Sequence, residues 1–152
     1  MVLPHFSGRP IRVEIHPCLG SHWAATHIRQ RVIQLDLAVI AQEFDRILIH
    51  ELFHFVWVRL GNSRRQAWEQ VLMAERQSGE LGWSADLRKS KLTAEDRRQR
   101  SRRWREYACE SFCDTAAWIY AGGRHPEYTL LTSARAGRRR WFREQFRAGA
   151  VC

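Results

Sequence analysis

The stretch ILIHELFHFVWVRLGN, residues 47–62, sets two histidines and a glutamate, His50, Glu51 and His54, in an almost unbroken apolar run. Burying such groups costs several kcal/mol each unless every one finds a partner. Either local hydrogen bonds satisfy them, or a strong positive charge sits among them. The run belongs to a helical pattern from about Ala38 to Leu60. Val39, Ile40, Phe44, Ile47, Leu48, Leu52, Phe55 and Val56 recur at intervals of three and four. Asp36 offers an N-cap, and Gly61-Asn62 a C-terminal stop. The second half is apolar nearly all round, so this helix is expected at the centre of the fold.

Residues 50–54 read His-Glu-x-x-His. Four residues make about one helical turn, so both imidazoles can reach one ion. Neutral imidazole is a good zinc ligand. Glu51, beside the pair, is placed to take a proton from water that the metal activates. Zinc needs a third protein ligand. His125, after Gly122-Gly123, is one candidate. Glu110 is the preferred one, because it lies in EYACESFCDTAAWIY among residues that read as buried. Asp114, one turn on, can accept from the free ring nitrogen of a ligand histidine and so fix its tautomer.

The regions on either side complete an α+β pattern: a small antiparallel or mixed sheet packed on the central helix, with further helices. PIRVEIH alternates, with Ile11, Val13 and Ile15 on one face, and predicts a half-buried strand. The turn-rich PCLGSH follows it. HIRQRVIQLDL, residues 27–37, predicts a second strand, whose apolar side begins at Ile33. A helix is expected from about Arg64 to Gln77, and an exposed loop over SGELGWSADLRKSKL. A long helix is expected from Thr93 to Gly122-Gly123, and a last one from about Ser133 to Ala148. With 152 residues, no repeat and no long linker, the chain reads as one domain, 1–152.

HELFH followed by Glu110-x-x-x-Asp114 resembles the gluzincin metallopeptidases, of which thermolysin is the best known. The likeness is closest to minimal single-domain members and to zincin-like proteins such as the ImmA/IrrE group. It spans about Val32 to Ile119, though nothing recognisable lies between Asn62 and Glu106. Cys109 stands where the family often has Asn. The resemblance implies a zincin-like fold, Zn2+ as cofactor, and His50, His54 and Glu110 as ligands. Glu51 would be the general base, Asp114 the partner behind a ligand, and a peptide or protein the substrate. The family uses a Tyr or His to stabilise the oxyanion. Tyr107, Tyr120, His125 and Tyr128 are the candidates, and the sequence does not choose among them.

The net charge is +9, and all basic residues but Lys89 and Lys91 are arginines. Such a surface permits nucleic-acid binding without demonstrating it. The second reading is therefore a zincin-like binding module with a basic surface. Nucleic acid is the less favoured partner, since no recognition-helix or stacking motif accompanies the arginines. No signal-like leader or apolar run of about twenty residues is present, so a cytoplasmic location with no membrane span is expected. The four cysteines, Cys18, Cys109, Cys113 and Cys152, are expected as free thiols, with Cys109 and Cys113 as small buried groups sharing one helix face.

Overall fold

A computed structural model describes residues 3–20, 23–75, 79–123, 125–147 and 149–152, without the side chains of 39–42. The fold is α+β. Four strands, β1 (Phe6–Ser7), β2 (Arg12–His16), β3 (Ala24–His27) and β4 (Val32–Asp36), lead into six helices. These are α1 (Leu37–Arg59), α2 (Asn62–Ala74), α3 (Trp83–Lys89), α4 (Ala94–Gln99), α5 (Arg102–Tyr120) and α6 (Thr132–Gln145). A short β5 (Ala150–Val151) follows.

The sheet is mixed, in the order β2-β4-β3, with β2 parallel and β3 antiparallel to β4. Ile33 and Leu35 of β4 are fully buried, as the central strand of a covered sheet requires. The strand expected over residues 27–37 is in fact a hairpin. Ile28 to Arg31 reverse the chain, with Arg31 at φ 56°. No Gly, Asn or Pro announces that turn. It is held from a distance: the Arg31 guanidinium donates to the backbone oxygens of Arg9 and Pro10. The β2 strand forms as expected, but Val13 and Ile15 are exposed. α1 packs across β4 and β3.

α1 begins where Asp36 caps it, its side chain accepting from the Ala38 amide at 2.9 Å. The expected side chains Phe44, Ile47, Leu48, Leu52, Phe55 and Val56 face or flank the core; those of Val39 and Ile40 lie outside the described residues. α2 starts at Asn62, two residues early, and ends at Ala74; its expected end at Gln77 lies outside the described residues. The residues expected as an exposed loop contain α3, with Glu80, Leu81 and Ala85 buried. The long helix expected from Thr93 is broken. Arg100 adopts φ 49° at the end of α4, and Ser101 recaps the chain as α5, its hydroxyl accepting from the Trp104 amide. The sequence signature at Thr93 is a capping box with Asp96. α6 ends at Gln145; the expected end, Ala148, lies outside the described residues. β5 pairs in parallel with β1, a contact too short and too distant in sequence to be read locally.

The main core joins β4, α1, α2, α5 and α6. Its centre is aromatic. Phe53 and Phe112 are fully buried, Phe112 stacks on Phe142 at 5.0 Å, and Trp68 meets Trp141 at 5.1 Å. Rings at such separations add about 0.5–1.5 kcal/mol per pair beyond the area they bury. This packing fixes α5 alongside α1, which decides what faces His50 and His54. Among the described residues, no helix is long and apolar enough to cross a membrane.

Candidate metal centre

His50 and His54 stand one turn apart on α1, with ring centroids 5.0 Å apart and planes at 75°. α5 presents them with two pairs of side chains that repeat the same four-residue spacing. Glu110 and Asp114 meet His50: Glu110 Oε2 is 3.3 Å from Nε2, and Asp114 Oδ1 is 2.7 Å from Nδ1. Cys109 and Cys113 meet His54, each sulfur 3.5 Å from Nδ1. The match follows from helical periodicity, since residues i and i+4 on each helix share a face.

Asp114 is itself fixed. Its Oδ2 accepts from the Ala85 amide at 2.9 Å. Gly82 lies against the same carboxylate, and a Cβ there would sit 2.3 Å from Asp114 Cγ. Glu51 turns toward β3, where the Thr26 hydroxyl donates to its Oε2 at 2.5 Å. A hollow of about 540 Å³ opens onto Thr26, His50, Glu51, His54, Cys109 and Glu110. A neighbouring one of about 570 Å³ also reaches His50 and Glu51. Trp83 borders both, and Trp23 borders the second.

Burial disfavours a charged His50. The Asp114 charge and hydrogen bond, helped by Glu110 and Glu51, outweigh it and hold the imidazole well above its ordinary pKa of 6.5. Burial likewise pushes Glu110 up, but the hydrogen bond from His50 and the charges of both histidines bring it below its ordinary value. The Cys109 thiol is lowered to about 6, first by a hydrogen bond from Cys113 and against its own burial. The same surroundings that favour a protonated imidazole favour a cation in general. Imidazole nitrogens, a carboxylate and thiols form a donor set suited to zinc. On chemistry and position these residues fit the ion.

The structure therefore brings His50, His54, Glu51, Glu110 and Asp114 together. It differs from expectation in which donors stand closest. Among the described residues, the tight group is His50, His54 and Cys113, with one ligand atom from each within 4.8 Å of the others. The expected third member, Glu110, contacts His50 from outside that group. Cys109 and Cys113 are free of any disulfide and buried or half-buried, as expected, but they face an imidazole. Their spacing was the available signal. Thr26 and Gly82 carried none, because both act across the fold.

The four candidate oxyanion donors border neither hollow. Tyr107 is buried and its hydroxyl donates to Glu80 at 2.5 Å, deep in another network. Tyr120 stacks on Phe53 at 5.4 Å, at the edge of the aromatic core. His125 packs against Tyr128 at 5.0 Å, with Nδ1 3.3 Å from Glu43 Oε1. Although Tyr107 lies one turn before Glu110 on α5, its ring is in the core.

Compared with known proteins, the chain matches no family model, no curated protein and no solved structure. The functional reading rests on the site alone.

Proposed function

We propose that the chain is a zinc-dependent metallopeptidase. The observation that supports this best is the meeting of α1 and α5, where two helically paired histidines face Glu110 and Asp114 while Glu51 lies at the same cleft. His50, His54 and Glu110 would hold the ion. Zinc, when bound, supplies a Lewis acid that polarises a carbonyl and brings the pKa of water near 7. The protein's own parts then have distinct tasks. Asp114 holds the Nδ1 side of His50, leaving the other nitrogen's lone pair for ligation. Thr26 orients Glu51, which takes the proton. Among the described residues β3 pairs with β4 alone, so its outer edge, bordering the hollow, can hold an extended peptide by main-chain hydrogen bonds.

The test compares native protein with Glu51→Gln for zinc content, melting temperature and cleavage of a mixed peptide library. The amide keeps the shape but cannot take a proton. Zinc and stability should persist while cleavage falls roughly 10²- to 10⁴-fold. Full-rate cleavage by the variant would refute the role of Glu51, and a native chain that binds no zinc would refute the reading.

A further inference from the structure

The sulfur pair on α5 is unused by the peptidase reading. Cys113 is completely buried, yet its sulfur contacts a polar atom, His54 Nδ1. A buried thiol serving only as a small hydrophobe has no need of such a neighbour. Bond lengths of about 2.0–2.1 Å to nitrogen and 2.3 Å to sulfur place donors in a tetrahedral zinc site roughly 3.3–3.8 Å apart. The His54 Nδ1 to Cys113 Sγ separation of 3.5 Å already falls in that range. The whole trio of His50, His54 and Cys113 lies within 4.8 Å, so modest side-chain movement would close it on one ion. Cys109 contacts the same nitrogen but does not belong to the trio.

We propose that Cys113 is a sulfur donor to the metal held by His50 and His54, so that two imidazole nitrogens and one thiolate form a site for thiophilic dications. This rests on the reading that the two histidines bind metal. Cys113 and Glu110 are three residues apart on α5, so they lie on neighbouring parts of one helix face and offer the ion two kinds of third ligand. On coordination the Cys113 thiol releases its proton to solvent as the sulfur–metal bond forms. Sulfur favours softer ions than a carboxylate does, so Cd2+ should compete better with zinc here than at a site of two histidines and a carboxylate. With sulfur taking the place of Glu110 as third ligand, three protein donors would still leave the fourth position open to water.

The experiment adds Co2+ to the metal-free full-length chain and records its absorption spectrum. Thiolate ligation gives an intense near-ultraviolet sulfur-to-cobalt band that nitrogen and oxygen ligands do not. The expected result is visible cobalt bands together with that charge-transfer band. Cys113→Ser, with Cys113→Ala as a second variant should the first fail to fold, should lose the charge-transfer band and keep visible ones. Cys109→Ser should retain both. Visible bands without the sulfur band in the native chain would overturn the proposal and leave the two-histidine reading standing. No cobalt bands at all would overturn both. A sulfur band lost in Cys109→Ser and kept without Cys113 would overturn the assignment to Cys113.

Discussion

Asp114 is shared between two duties, one oxygen on His50 and the other on the Ala85 amide. Removing its charge while keeping its shape should therefore weaken the metal rather than the fold. Asp114→Asn is expected to lower zinc affinity about 10- to 100-fold, read by competition with a chelating dye, with little change in melting temperature of the metal-free protein. Gly82 tests the same contact from the opposite side. Its backbone is extended, so alanine meets no strain there. The added methyl instead collides with Asp114 and must displace it from His50. Gly82→Ala should reproduce the loss of zinc affinity seen in Asp114→Asn, measured in the same competition assay. The two histidines, Glu51, Glu110 and Asp114 could be singled out from the His-Glu-x-x-His spacing, the apolar setting of Glu110 and the one-turn step to Asp114. Gly82 could not, because its role is defined by a side chain that arrives from 32 positions away (82 to 114).

Among the elements, α1 was the most legible, from its period, its Asp36 cap and its polar trio. The interruption between α4 and α5 was hidden for a physical reason. Arg100 is a poor residue for a left-handed turn, and the break is supported by a distant partner, Glu69, which accepts from Arg100 Nε at 2.7 Å and from Trp104 Nε1 at 2.9 Å. β3 was hidden too, because AATH has little apolar alternation and is defined by pairing with β4. Yet β3 supplies the Thr26 hydroxyl that donates to Glu51. Thr26→Val keeps the β-branched shape and removes that donor. Its expected effect is a fall in turnover, roughly tenfold for a loosened catalytic group, with zinc content unchanged. Steady-state kinetics beside metal analysis will decide it, and an unaltered turnover would remove Thr26 from the mechanism.

Across the molecule, a second polar cluster reaches α5 through Tyr107, Ser111 and Thr115. Arg138 is fully buried and donates to Glu80 at 2.8 Å and to both oxygens of Glu75 at 2.7 Å. Glu80, also fully buried, further accepts from Lys89 and Tyr107. Arg138→Ala removes the cation that Glu75 and Glu80 share and leaves Glu80 with Lys89, and a loss of roughly 3–5 kcal/mol is expected in denaturant unfolding. Burial pushes the Glu80 pKa up, but Arg138 and then Lys89 pull it below its ordinary 4.5. Because the folded value lies below the unfolded one, this contribution is complete above about pH 4.5 and is lost as pH falls through the folded value. The Glu80 contribution to melting temperature should thus be constant above about pH 5 and fall away below 4.5. The arginines of the run 97–105 lie at the surface, the reading their clustering suggests, whereas Arg138, which clusters likewise with Arg139 and Arg140, is buried. Several of the run are satisfied locally: Arg98 by Glu95, Arg102 by Glu106, and Arg97 over the Trp104 ring.

The placing of the tryptophans has an optical consequence. Trp57, Trp68, Trp104 and Trp141 are buried in the core, whereas Trp23 and Trp83, 65% and 67% exposed, border the hollows at the histidines. A collisional quencher in solution reaches those two indoles first and leaves the shielded four emitting. Any molecule settling over the cleft would cover the same two rings. Occupancy can then be followed as protection from quenching, with no label and before any reaction product has been identified.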